Sequence, residues 1–267
     1  MAKIPACVLS DVVKTATGAF APEKQFVKDL DKTIEFSQAE SMRMPSKTFK
    51  PSSLGGCERN LYFQLTGVLP DNDTRSSMLI GICESGTDRH IRIQQHIIDM
   101  KNYGIDCEYV DVEEFVKSRN LTDIEIVSKD GIETKCYNKK YNISFLTDGL
   151  VRYKGQYYIL EIKTETSNKF WQHTDVRPEH IAQGVTYYLS FGIDQVLYLY
   201  ENRDTTGHKA YVYHVSEEDA AKIVQKMESI NKFVADSIVP DKTTDESKCK
   251  YCGYVSECGK YANQLEN

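Results

Sequence analysis

The chain has 267 residues, is 40% hydrophobic and 27% charged, and carries a net charge of −6. This is a globular composition with ample length for a sizeable core. It excludes a helical membrane protein, since no stretch approaches the roughly 20 apolar residues of a span. It also removes bulk positive charge as a basis for nucleic-acid binding, although a site that gathers carboxylates around metal ions is compatible with a local DNA groove. The opening MAKIPACVLSDVVK lacks a signal-peptide pattern, so a cytoplasmic protein is the expectation. In that compartment the eight cysteines do not read as a disulfide framework. Cys7, Cys83, Cys107 and Cys136 are scattered and read as buried or incidental thiols.

In chain order, residues 22–42 read as an amphipathic helix with Phe26, Leu30, Ile34 and Phe36 as its apolar positions. Pro51, Ser52 and Ser53 read as the start of a second helix and Gly67 as its end, with Cys57 in its first turn. Residues 73–102 carry the longest helical pattern. Its apolar side is Ile80, Cys83, Ile91, Ile97 and Ile98, His90 lies near the middle, and Gly81 and Gly86 interrupt the helix propensity, pointing to a break or to close packing there. From 105 to 165 the pattern becomes strand-like, in the segments IDCEYVDV, DIEIVSKDGIETKCYN, YNISFLTDGLVRY and QYYILEIKT. The last two are expected to pair as a hairpin turning at Lys154–Gly155. A helix over 178–191, opened by Pro178, follows. Then come two strands, QVLYLYEN and KAYVYHV, a serine-capped helix over 216–237, and a polar linker to CKYCGYVSEC. The order predicts an α/β fold, a mixed central β-sheet flanked by helices. It divides into a helical segment (1–50), a second helical region (51–104), a core (105–215) and a helix with a cysteine-rich tail (216–267).

The chemistry concentrates in the hairpin. Asp148 falls in its first strand, Glu161 and Lys163 in its second, and residues two apart share a strand face. Two carboxylates offer hard oxygen ligands suited to Mg²⁺ or Mn²⁺. Lys163 could position a water or offset charge on a phosphate. The competing reading is a solvated strand face with a surface Glu–Lys pair. The embedding in YYILEIKT and after ISFLT favours the first reading, because acidic residues are rarely buried without a partner or a metal.

Two further segments stand out. Cys249, Cys252 and Cys258 form C-x2-C-x5-C, a thiolate spacing suited to a soft metal site that needs a fourth ligand; zinc and iron–sulfur both satisfy it. The loop TETSNKFWQHTDVRPEH carries Lys169, His173, Arg177 and Trp171 beside Phe170, either a stacking device for unpaired bases or a packed loop with Trp171 buried.

TDGLVRY followed by ILEIKT resembles the core of the PD-(D/E)XK nucleases, in particular the RecB-like branch. Gly86 and His90 match that branch's helical G-x-x-x-H, and Gln183 and Tyr187 match its Q-x-x-x-Y; Thr147 stands where a proline is common. The resemblance implies a restriction-endonuclease-like core in which His90 joins Asp148 and Glu161 as a metal ligand, while Gln183 and Tyr187 lie beside the scissile strand. On residue type alone His90 could be a packed histidine, and Gln183 and Tyr187 an ordinary helix-face pair. One cysteine before the core and three after it resemble the iron–sulfur nucleases of the CRISPR-adaptation and AddB types. This implies Cys57 as fourth ligand and a 4Fe–4S cluster, with structural zinc as the alternative, closing a loop of roughly 190 residues. The match spans about residues 50–260. It implies a Mg²⁺- or Mn²⁺-dependent deoxyribonuclease of a bacterium or phage, an exonuclease on single-stranded DNA ends working in recombination or repair. The other readings are a DNA-end-binding adaptor with little catalysis and an endonuclease of the same fold.

Overall fold

The computed structural model describes residues 21–39, 44–71, 76–250 and 252–262. Two units are distinguished, Met1–Arg43 with Asp73–Glu84 and Met44–Asn72 with Ser85–Asn267. The first holds helix α1 (Pro22–Ala39) and the opening turns of the long helix α4 (Ser77–Asp99). Phe26, Leu30 and Phe36 of α1 are exposed, and Glu35 of α1 accepts the Ser77 N–H of α4 at 3.0 Å. Cys7, residues 40–42 of the first expected helix and 73–75 of the third lie outside the described residues.

The second unit begins with a correction. The single helix expected from Pro51 to Gly67 is two, α2 (Pro51–Leu54) and α3 (Glu58–Thr66). The chain breaks at Gly55–Gly56, and Cys57 is extended, at the N-cap of α3 rather than inside a first turn. Gly67 ends α3 in the left-handed conformation, φ 79°. Helix α4 runs unbroken through Gly81 and Gly86. Of its expected apolar side Ile80 and Ile97 are buried, whereas Cys83 and Ile91 are exposed, and Ile93 and Gln94 face inward in addition.

A five-stranded sheet forms the centre, in the order β1 (Cys107–Val110), β5 (Gly149–Tyr153), β6 (Gln156–Glu165), β7 (Gln195–Asn202), β8 (His208–His214). Only β6 and β7 are parallel. They are joined, as parallel neighbours must be, by a crossover, here α6 (Ser167–Trp171) and α7 (Pro178–Phe191). The β5–β6 hairpin turns at Lys154 and Gly155, both at positive φ as a two-residue primed turn requires. A second, antiparallel sheet, β2 (Ile124–Asp130), β3 (Glu133–Asn138) and β4 (Ile143–Thr147), was not anticipated. The segment read as one strand through Asp148 is therefore two, and Asp148 is the residue at which the chain leaves one sheet for the other. Helix α5 (Val112–Ser118) also interrupts the expected strand run; Asp111 caps it, accepting the Glu114 N–H at 2.9 Å.

Alternation along β6 divides the interior. Ile159 packs with Leu150, Val196 and residues of α7; Leu160 and Ile162 pack with Val151 and with Ile93 and Ile97 of α4. The central sheet is thus covered by α7 on one face and α4 on the other, and Glu161 and Lys163 share the α7 face. Helix α8 (Glu217–Asp236) opens on a capping box between Ser216 and Asp219. Beyond it the tail, ending in helix α9 (Val255–Cys258), is held by Arg59 of α3. This arginine is 1% exposed and donates to the carbonyls of Pro240 (2.6 Å), Cys258 (3.2 Å) and Tyr261 (3.1 Å). Among the described residues no helix is long and apolar enough to cross a membrane.

Candidate active site

Asp148 is held by both main chain and side chain. Its carbonyl accepts from Tyr109 Oη at 2.6 Å and from Gln94 Nε2 at 2.7 Å. Its carboxylate accepts the Ile162 N–H at 2.6 Å through Oδ2, and Oδ1 lies 3.0 Å from His90 Nδ1. His90 and Gln94 are one helical turn apart on α4 and reach the same residue. The next residue, Gly149, has φ 152°, and a Cβ there would sit 2.5 Å from the Tyr109 hydroxyl. The crossing between sheets is tight enough to admit only glycine.

Glu161 is 2% exposed. Its Oε1 meets Lys163 Nζ at 2.6 Å, while Oε2 is buried and accepts no hydrogen bond. Lys163 Nζ also donates to Gln183 Oε1 at 2.8 Å, Gln183 Nε2 donates to Tyr187 Oη at 3.0 Å, and that hydroxyl donates to the Leu146 carbonyl at 2.9 Å. One hydrogen-bonded line therefore runs from β6 through α7 to the end of β4. Burial, and secondarily the Asp148 charge, push the Glu161 carboxyl well above its usual range. Burial opposes a charge on His90, but its hydrogen bond to Asp148 and that carboxylate's charge outweigh it, so the imidazole pKa lies above its ordinary value. Asp148, Glu161, Lys163, His90, Gln183 and Tyr187 thus stand together in one constellation.

Two carboxylates and an imidazole are a donor set suited to a hard divalent cation. The unmatched Glu161 Oε2 is the observation that fits a cation here, because a buried acceptor without a donor is costly. As they stand, Asp148 and His90 satisfy one another. Among the described residues no three His, Cys, Asp or Glu side chains are drawn closely enough to hold a metal ion.

The sequence offered no sign of Tyr109, and Gln94 was legible only as the residue one turn beyond His90. Also missed was Glu201, fully buried on β7 and paired with Arg89 and Arg92, which flank His90 on α4. His180 was not singled out either. Its Nδ1 lies 2.9 Å from the Tyr200 hydroxyl, and burial and then the Lys163 charge depress its pKa to about 4. Below pH 6.5 the unfolded chain binds a proton that the folded chain refuses until about pH 4, so this residue subtracts stability as pH falls through that window. An NMR titration should find the His180 ring neutral down to about pH 4; a midpoint near 6.5 would contradict the placement.

In the loop after β6, Trp171 is 72% exposed while Phe170 is buried, their rings T-shaped at 4.9 Å. Two of the cations expected to face DNA are engaged elsewhere: His173 Nε2 and Arg177 Nη1 both lie 2.9 Å from Glu165. Cys57, Cys249, Cys252 and Cys258 line one small cavity between the start of α3 and the tail, and none is in a disulfide. Arg59 Nη1 approaches Cys258 Sγ at 3.5 Å and Asn60 Nδ2 approaches Cys252 Sγ at 3.3 Å. Donors of this kind accompany thiolates at metal centres.

The fold and site are thus those of a mixed α/β protein with paired carboxylates, an imidazole and a lysine where two sheets meet. No family model and no curated protein matches the chain. Solved structures similar to it include SSO0001, at 14% identity over 91% of this chain and 100% of that one, with a TM-score of 0.47. Another is an alkaline exonuclease from Laribacter hongkongensis, at 13% identity over 72% of this chain and 90% of that one, TM-score 0.43. The same exonuclease in complex with dAMP gives 13% identity, 72% and 89% coverage, and a TM-score of 0.44.

Proposed function

We propose that the chain is a metal-dependent deoxyribonuclease of the PD-(D/E)XK type, hydrolysing phosphodiester bonds as an exonuclease on single-stranded ends. One observation carries the reading: Glu161 is buried with an unmatched oxygen, beside Lys163 and facing the Asp148–His90 pair. Asp148, Glu161 and His90 would hold Mg²⁺ or Mn²⁺, which supplies Lewis-acid polarisation of a phosphoryl oxygen and a more acidic water. Lys163, fixed between Glu161 and Gln183, orients the attacking water and offsets negative charge developing on the phosphate. Gln183, braced by the buried Tyr187, positions the strand on the α7 side, and the exposed Trp171 supplies a face for an unpaired base. Labelled single strands should be shortened with Mn²⁺ or Mg²⁺ and left whole with chelator. Persistent binding with no cleavage under any metal would instead make the protein an end-binding adaptor.

The four cysteines would hold a 4Fe–4S cluster with a structural role, a reading supported by their convergence on one cavity and by the N–H donors on two of the sulfurs. Anaerobically purified protein should be brown, with broad visible absorption that Cys57→Ser abolishes. Colourless protein with stoichiometric zinc would replace the cluster by a zinc clamp.

A further inference from the structure

We propose that the cavity beside Lys163 is a receptor for the phosphate monoester at a DNA strand terminus. This rests on the nuclease reading and deepens it. The cavity has a volume of about 290 Å³, and its walls include Lys163, Lys169, Arg177 and Arg203 against two carboxylates, Glu165 and Glu179. Its balance is positive in a chain of net charge −6. The partners sort further. Arg177 takes up both carboxylates, and Lys163 is committed to Glu161 and Gln183. Lys169 and Arg203 make no side-chain hydrogen bond or ion pair with a described residue. The Asp204 carboxylate, which lies within electrostatic reach of Arg203, already accepts the Ser167 N–H at 2.8 Å.

Three features favour an anion with several acceptor oxygens. The first turn of α7 lines the cavity, so the positive end of a 14-residue helix adds to the field. His180 lines it too. The Tyr200 hydroxyl accepts the Arg177 N–H at 3.2 Å, and the one acceptor for its own proton among the described residues is His180 Nδ1, 2.9 Å away, so it donates there. A neutral imidazole bonded in this way carries its hydrogen on Nε2, a donor with no partner among the described residues. The third feature is charge. A phosphate monoester carries about −1.5 to −2 near neutral pH, which two uncommitted cations match, whereas an internal diester carries a single charge. A terminus seated here would place the first internucleotide linkages beside Lys163, which is what an enzyme working from ends requires.

The test uses binding without cleavage. Three single-stranded oligonucleotides of one sequence, with an internal fluorophore, carry a 5′-phosphate, a 3′-phosphate or hydroxyls at both ends. Anisotropy is measured with chelator present. One phosphorylated end should bind about tenfold tighter than the hydroxyl form, a difference of roughly 1.4 kcal/mol, and the end preferred reports the polarity. The Lys169→Ala/Arg203→Ala double variant removes one exposed and one half-buried side chain, leaves the core untouched and should bind all three equally. Indistinguishable binding of the three by the wild type, or a phosphate preference that survives in the double variant, overturns the receptor. In either case Mn²⁺-dependent cleavage by the wild type would leave the nuclease reading standing, and its absence would remove both.

Discussion

Asp148→Asn and Lys163→Gln should each fold like the wild type and lose metal-dependent cleavage by about a thousandfold, the scale of removing a principal electrostatic contributor. The substitutions suit the geometry. An asparagine oxygen at 148 can still accept the Ile162 N–H, and its amide can donate to His90 once the imidazole changes tautomer. The main-chain carbonyl keeps its bonds from Tyr109 and Gln94 whatever the side chain. What disappears is one negative charge at a metal ligand. Glutamine at 163 can still donate to Glu161 but carries no positive charge to set against the phosphate. Alanine there would be a poorer probe, since it would strip the buried carboxylate of its hydrogen-bond donor as well as its cation, at a cost of roughly 3–5 kcal/mol, and would confuse folding with chemistry. Cleavage rates and melting temperatures should be measured together. Wild-type rates in both variants would sink the assignment of the site.

Gly149→Ala should be strongly destabilising. At φ 152° any side chain is strained, and this Cβ would lie 2.5 Å from the Tyr109 hydroxyl and 2.6 Å from its ring carbon. Strain and overpacking together cost about 3 kcal/mol, or about 10 °C in melting temperature for a chain of this size. Cleavage should fall as well, because relief of the clash moves the Tyr109 hydroxyl off the Asp148 carbonyl. Gly155→Ala is the control. It too has positive φ, 80°, but nothing lies within 4 Å of its Cβ, so only the backbone penalty of about 1 kcal/mol applies. Equal losses for the two would mean that the Tyr109 contact does not constrain the crossing.

Much of the candidate site was legible because its residues follow local periodicities. Glu161 and Lys163 share a face by strand alternation, and Gln183 and Tyr187 lie one helical turn apart. The hairpin turn was equally readable from Lys154–Gly155. What resisted reading was long-range. Nothing local to YNISFLTDGLVRY says that its two halves join different sheets, and Tyr109 reaches Asp148 only through the pairing of β1 with β5. Helix α5 could have been found, since Asp111 and Glu114 form a D-x-x-E capping pattern; the β-branched residues around it masked the signal. The stripe of α4 was only partly legible, Ile80 and Ile97 being buried, because Gln94, a polar residue, occupies a core position to hold a main-chain carbonyl. Arg59 is a similar case, a buried cation whose partners are carbonyls that no sequence pattern announces.

That arginine also sets a timetable for biosynthesis. Its guanidinium requires carbonyls 181, 199 and 202 positions further along the chain. While the ribosome is still adding the central sheet these acceptors do not yet exist, and the buried setting of the arginine cannot be completed. The packing around Arg59 of α3 is therefore synthesised early but completed late. Chaperones and proteases meet it open until the tail arrives, and loss of the tail by a nonsense mutation would be felt some two hundred residues upstream of the lesion.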